Sequence, residues 1–193
     1  MELKTERLLL RRFLESDAGS LYEYAKDPDI GPVTGWKPHT SLENSLEIIR
    51  NGLASDTNFA VCLKSDGIAI GSIGLNPPKT SFAGEKDLEI GFWIGKPFWG
   101  HGYIPEAVGE LLRYAFEELG CEKMWYCYYL GNEKSRRCQE KCGFLYHHTE
   151  ENVLIPLLGE YRTKIYSCLS KERWISLNRR WASLRPSLTK MIF

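Results

Sequence analysis

Gly100 and Gly102, in the run Trp99-Gly100-His101-Gly102-Tyr103, are spaced to hold an anion. A glycine-bearing turn that feeds a helix aims several main-chain N–H groups at one point. It adds the positive end of the helix dipole, which suits a phosphate or pyrophosphate. The same glycines also suit a tight turn that needs only backbone freedom. Two familiar phosphate loops are excluded. A P-loop has Lys-Ser or Lys-Thr after its second glycine, where this chain has Tyr103-Ile104. The dinucleotide fingerprint has a third glycine, where this chain has Pro105.

The turn is positioned by the stretch Leu88 to Leu119. Leu88, Ile90, Phe92 and Ile94 alternate with Glu89, Gly91 and Trp93, the period of a strand. Ile104, Ala107, Val108, Leu111, Leu112, Ala115, Phe116 and Leu119 then recur with the period of a helix on a core. Pro105 suits the first helical turn, where its missing N–H has no intrahelical partner to lose.

The segment FWGHGYIPEA resembles the acetyl-CoA loop of the GNAT N-acetyltransferases, in which a strand leads through Gln/Arg-x-x-Gly-x-Gly/Ala into a helix. Gly102 takes the central glycine, while Trp99 and Ile104 depart from the pattern. It is more closely similar to the Phe-Trp-Gly variant of the branch that acetylates the N-termini of ribosomal proteins. A second, independent similarity lies at Asn132-Glu133-Lys134-Ser135 and Glu140-Lys141-Cys142-Gly143-Phe144, against Asn-x-x-Ser/Ala and Glu-Lys-x-Gly-Phe. The resemblance covers residues 5 to 174. It implies an α/β fold of the GNAT type, a central, mostly antiparallel twisted sheet with splayed middle strands, flanked by helices. Residues 175–193 then form a basic amphipathic tail.

The resemblance also implies acetyl-CoA as cosubstrate, with no metal. Main-chain N–H groups of Trp99, Gly100, His101, Gly102, Tyr103 and Ile104 would hold its diphosphate. Phe92, Trp93 and Ile94 would run beside pantetheine, Asn132 would contact pantetheine or cap its helix, and Arg137 would reach the 3′-phosphate or belong to a solvated basic face with Arg136 and Lys141. Glu89 is expected to be the general base, against the plainer reading of an ion-paired carboxylate. An unperturbed glutamate near about 4.3 needs burial to become a better base. Gln139 stands where many relatives carry an acidic tyrosine, so protonation of the thiolate falls to Ser135, with Tyr126, Tyr128 and Tyr129 behind it. The expected acceptor is a primary amine, of a protein N-terminus or a small molecule. Antibiotic or polyamine acetylation and a non-catalytic CoA-binding or interaction module are the alternatives.

Composition fits this. The 193 residues carry zero formal net charge, so nothing draws the whole chain to nucleic acid or an anionic membrane. The start Met1-Glu2-Leu3-Lys4-Thr5-Glu6 lacks a signal-like apolar run and no segment spans a bilayer, so a cytoplasmic location is expected. The six cysteines form no C-x-x-C pair, and His147-His148 is a lone doublet, so reduced thiols without a metal are expected.

In chain order, Leu8–Phe13 reads as a strand and Ser16 or Asp17 caps a helix to Lys26. Residues 33–40 are too rich in Gly and Pro for regular structure. Trp36 and His39 there are either substrate contacts or packing between helices. Ser41 opens a second helix through Leu53, and 59–63 with 68–75 form a hairpin. Asn76–Lys86 is an exposed loop, Lys123–Tyr129 a strand, Asn132 to Gly143 a capped helix, and Tyr161–Cys168 a late strand. In the tail, Trp174, Leu177, Trp181 and Leu184 share a stripe beside Arg179, Arg180, Arg185 and Lys190. The stripe suits docking on its own domain or on a second copy in a homodimer; the basic face leaves RNA or an acidic partner as the other reading.

Overall fold

The predicted alternation around Glu89 is realised as one strand in the middle of an eight-stranded sheet. The computed structural model describes residues 1–188, with side chains as far as 179. In chain order the elements are β1 (Glu2–Lys4), β2 (Leu8–Arg11), α1 (Ala18–Ala25), α2 (Gly31–Thr34), α3 (Leu42–Ile48), β3 (Asn58–Leu63) and β4 (Ala69–Asn76). There follow β5 (Leu88–Ile94), α4 (Tyr103–Arg113), β6 (Lys123–Tyr129), α5 (Glu133–Lys141), β7 (Leu145–Ile155), β8 (Glu160–Ser170) and α6 (Lys171–Leu188). The sheet order is β1-β2-β3-β4-β5-β6-β8-β7. All neighbours are antiparallel except β5 and β6, which run parallel.

That parallel pair is joined at three positions only, Leu88↔Met124, Glu89↔Trp125 and Ile90↔Tyr126. Beyond Ile90 and Tyr126 the strands part. This is the splay that the resemblance implied.

Each face of the sheet is covered. Ile90 and Ile94 lie with Leu111, Phe116, Met124 and Tyr126 in the core under α4. On the other face Leu21 and Ala25 of α1 pack with Ile49, Ala60 and Cys62. Ser41 caps α3 by accepting from the Asn44 N–H, as its position predicts.

Three elements differ from the sequence expectation. β1 and β7 were not foreseen, and residues 31–34, expected to be irregular, form the short helix α2. β7 is the outer strand, and nearly all of its residues are exposed or half-buried, so it carries no apolar alternation to read. α2 is held by distant partners. Asn132 Nδ2 donates to the Val33 carbonyl at 3.3 Å, and Arg162 donates to that of Pro32. Gly35 ends it at φ 95°, where a Cβ would stand 2.6 Å from the Tyr129 hydroxyl.

α6 begins as part of the domain. Trp174 packs on Phe116 with centroids 5.4 Å apart, Leu177 covers Gly143, and Arg173 Nε donates to the Gly143 carbonyl at 2.9 Å. Position 175 thus falls inside a helix that is already docked. The side chains of Arg180, Trp181, Leu184 and Arg185, and Lys190 altogether, lie outside the described residues. Among the described residues, no helix is long and apolar enough to cross a membrane, and no cluster of His, Cys, Asp and Glu could hold a metal ion. All six cysteines are free.

Candidate active site

The loop after β5 ends in two left-handed glycines, Gly100 at φ 82° and Gly102 at φ 77°. A side chain in that region costs about 1–2 kcal/mol, which is why glycine is found at both. Gly102 is the N-cap of α4, and it is followed by Tyr103, Ile104 and Pro105. The N–H groups of Tyr103 and Ile104 have no intrahelical acceptor, and proline has none to offer. The loop therefore presents main-chain donors at the positive end of an amphipathic helix.

Two cations that the sequence reading missed flank this loop. Arg7 donates through its N–H and Nε to the two oxygens of Glu106, at 2.8 and 2.7 Å, and through Nη1 to the His101 carbonyl at 3.0 Å. Its guanidinium lies 4.5 Å from the centre of the Tyr103 ring. Thr5 Oγ1 also donates to Glu106. Burial alone would raise Glu106, but these donors outweigh it and hold the carboxyl below its ordinary range. On the other side Lys134 places its ammonium 3.3 Å from the centre of the Trp99 ring. Neither was legible, because Arg7 meets Glu106 across 99 residues of chain.

The splay leaves one edge of β5 open. The Gly95 N–H pairs with the Ile70 carbonyl, so along β5 the main-chain groups of Glu89, Gly91 and Trp93 turn toward β4. Those of Ile90, Phe92 and Ile94 turn toward β6. Trp99 Nε1 takes the Ile94 carbonyl at 2.9 Å, and Ile90 lies in the joined part of the pair. Phe92 is left facing the gap. Trp93 reaches the opposite face, where its indole packs edge-on to Trp36 at 5.7 Å.

The gap opens into a cleft of about 330 Å³ that includes Glu89, Gly91, Phe92, Cys127, Asn132 and Ser135 in its wall. Glu89 receives the Lys79 N–H on Oε2 at 3.1 Å. Burial raises its carboxyl above the ordinary range, against that hydrogen bond and the ammonium groups of Lys164 and Lys79. Burial also pushes the Cys127 thiol up to about 12.

Across the cleft, Ser135 Oγ lies 3.0 Å from the Tyr126 hydroxyl, which also donates to the Ser135 carbonyl at 3.2 Å. Burial raises Tyr126 well above the usual phenol range. Asn132 caps α5 by accepting the Ser135 N–H at 3.1 Å, while its amide nitrogen holds α2. Gln139 is buried, and its Oε1 has no hydrogen-bond partner among the described residues. Arg137 is exposed on α5, whereas its neighbour Arg136 is paired with Glu133 and Glu140.

Trp36 and His39 are brought together, but not at the cleft. His39 is 8% exposed, hydrogen-bonds Ser45 Oγ through Nδ1 at 2.8 Å, and lies 5.4 Å from the Trp36 ring. Trp36 packs against the core under α1. Burial lowers the His39 imidazole, which favours its neutral form.

Comparison with known proteins agrees with the fold. The family described as an acetyltransferase (GNAT) domain matches residues 7–145. YdaF of Bacillus subtilis, provisionally named a ribosomal N-acetyltransferase, is 41% identical over 89 residues, or 46% of this chain and 48% of that protein. The match thus spans about half of that relative's length. An uncharacterized N-acetyltransferase of Bacillus licheniformis, p20, is 30% identical over 127 residues, or 63% of this chain and 70% of the relative. A crystal structure of a GNAT-family acetyltransferase from Bacillus anthracis superimposes with a TM-score of 0.79 at 26% identity, covering 89% of this chain and 99% of that one.

Proposed function

The chain belongs to the GNAT acetyltransferase family, and from that premise we propose that it moves an acetyl group from acetyl-CoA directly to a primary amine. The observation that carries this reading is the placement of the Glu89 side chain in the wall of the cleft, at the joined part of β5 just before the strands part. A carboxylate raised by burial is a stronger base toward an ammonium proton than an ordinary glutamate.

The residues present fit acetyl-CoA. The loop from Trp99 to Ile104 offers donors to its diphosphate, with Arg7 and Lys134 beside them, and Phe92 offers a free strand edge to the pantetheine amides. The Trp93 main chain is turned to β4 and the Ile94 carbonyl is held by Trp99, so of the three residues expected beside pantetheine Phe92 offers the free edge. Asn132 would order the start of α5, and Arg137 is the exposed cation of that helix for the 3′-phosphate. Acetyl-CoA supplies an activated thioester. Glu89 accepts the proton of the attacking amine, and Ser135, backed by Tyr126, donates to the departing thiolate. Cys127 remains a thiol, which supports direct transfer over an acetylated enzyme.

The name of YdaF, a ribosomal N-acetyltransferase, supports an amine on a ribosomal protein as the acceptor, and a protein N-terminus is the form of it proposed for this chain. Thiol release from acetyl-CoA, measured with N-terminal peptides and small amines, tests the reading. Acetyl-CoA at about 100 times its dissociation constant should add roughly 2.7 kcal/mol to stability and raise Tm by several degrees. A raised Tm with no thiol release from any amine would leave a CoA-binding module in its place.

A further inference from the structure

The charges around Glu89 are unlike those of a site for polycations. We infer that the acceptor carries an anionic group close to its amine and that Lys164, helped by Lys79, recognises it. This deepens the acetyl-transfer reading and rests on it.

Register places the recognising group. Tyr129 and Lys164 are opposed on β6 and β8, as are Cys127 and Tyr166, so Lys164 shares the face that carries Cys127 and Glu89. Lys164 and Lys79 both line the cleft with Glu89, and the positive charge of each acts on the Glu89 carboxyl. Glu150, opposed to Lys164 across β7 and β8, acts on the Glu89 carboxyl with the opposite sign, but its own carboxylate is engaged with His148 Nε2 at 3.3 Å, lies more than 4 Å from the Lys164 ammonium and does not line the cleft. Among the described residues, no carboxylate lies within 4 Å of Lys164 or Lys79. Lys26, Lys86 and Lys96 each have one and the exposed Lys37 and Lys141 do not, so what sets Lys164 and Lys79 apart is their place in the cleft wall with Glu89. The nearest polar partner of Lys164 is the Tyr166 hydroxyl at 3.5 Å, a weak contact.

The cleft thus holds one carboxylate and two ammonium groups without carboxylate partners. An acceptor with further ammonium groups would set them against Lys164 and Lys79, whereas a carboxylate on the acceptor would pair with them. Glu89 is opposed to Trp125 and Lys164 to Tyr129, so two strand spacings, about 10 Å, and a four-residue offset, about 13 Å along the strands, separate their main chains. Both side chains reach back across that diagonal into the same cleft, which sets the anion within reach of an acceptor whose amine lies at Glu89. Gly91 leaves space for the amine beside Glu89, since a Cβ there would meet nothing nearer than Asn76 Nδ2 at 3.7 Å. Such an acceptor is either a free amino acid or a polypeptide N-terminus with an acidic residue in its first positions.

The test is thiol release from acetyl-CoA with matched acceptors, with rates expressed per neutral amine. One set is β-alanine, β-alaninamide and putrescine; the other is peptides beginning Ser-Glu, Ser-Gln and Ser-Lys. The acidic member should exceed its amide by about tenfold or more in kcat/KM. Lys164→Met should collapse that ratio and Lys164→Glu should invert it. The ratio is the readout because removing Lys164 also changes Glu89, and that change affects both members alike. Preference confined to one set identifies the source as amino acid or N-terminus. Equal or better use of amides and cationic acceptors by the natural protein overturns the inference and leaves acetyl transfer standing. An acidic preference untouched by Lys164→Met removes Lys164 from the role. No thiol release from any member overturns acetyl transfer itself, and the acceptor class falls with it.

Discussion

Lys79 donates its main-chain N–H to Glu89 Oε2 across 3.1 Å, so an exposed loop fixes the carboxylate that the strand presents. The Tyr166 hydroxyl donates in turn to the Lys79 carbonyl at 3.2 Å, tying that loop to β8. Position and protonation of Glu89 are therefore set by two different things, the loop and the burial.

Glu89→Gln should lower kcat by about 10²- to 10⁴-fold, the usual contribution of general base catalysis, and leave acetyl-CoA affinity nearly unchanged. Activity of the natural protein should rise with pH through the Glu89 transition, because the base works deprotonated. That limb should sit above the ordinary carboxylate range and vanish in the variant. A pH profile of kcat/KM with both proteins checks this. A limb retained in Glu89→Gln removes the residue from the role.

The same shift has a stability consequence. A carboxyl raised on folding contributes stability that is fully present below its unfolded value, and the contribution is lost as pH rises through the folded value. Above the folded value the natural protein has lost it, and the neutral amide has no such charge to desolvate. Glu89→Gln should therefore gain on the natural protein as pH rises through the Glu89 transition, and the difference should shrink toward pH 4. Urea midpoints on either side of that transition measure it.

Glu106→Ala removes the common partner of Thr5 and Arg7 and frees the Arg7 side chain that holds the His101 carbonyl. We expect a loss of about 1–2 kcal/mol in stability, less than for a fully buried pair because Arg7 is partly exposed. The depressed Glu106 contributes stability above the ordinary glutamate range, lost as pH falls through its folded value. Calorimetry should show acetyl-CoA bound about tenfold more weakly, with acceptor KM unaltered at saturating acetyl-CoA.

Ser135→Ala should lower kcat about tenfold to a hundredfold while sparing acetyl-CoA binding. Tyr126→Phe removes the partner of Ser135 and should cost about 1 kcal/mol of stability with a smaller loss of rate. Equal rates for Ser135→Ala and the natural protein would assign the proton elsewhere.

Gly91→Val should raise acceptor KM strongly. The position is exposed on the cleft face of β5 with no backbone atom in the way of a Cβ, so the fold should tolerate the change. The Tm rise produced by acetyl-CoA should survive, which separates loss of the acceptor from loss of the cosubstrate.

The parts of this molecule with strong local periodicity were legible in its sequence. Alternation from Leu88, the helical period from Ile104 and the cap at Asn132 placed β5, α5 and the start of α4 within a residue or two, while the helix read through Leu119 leaves α4 at Arg113 and continues as a π-helical turn over Tyr114–Glu118. The resemblance carried the sheet topology and the splay, which no local pattern encodes. β7 escaped because its outer position leaves both faces wet, and α2 escaped because Asn132, Arg162 and Tyr129 hold it from far along the chain. At the candidate site, Glu89 and Ser135 were read from their motifs. Arg7 and Lys164 were not, since each acquires its meaning from a strand or helix remote in sequence.

Because β5 and β6 meet at only three positions, the sheet behaves as two leaves, one ending at Ile94 and the other starting at Lys123. α4 forms the spine, touching β1 and β2 on one leaf and α5 on the other. Glu89 lies at the joint of the two leaves and Lys164 on the second, so the wedge between them is one continuous groove with the proton acceptor at its apex and the ammonium group on one wall. A cosubstrate lodged in the wedge would therefore touch both leaves at once.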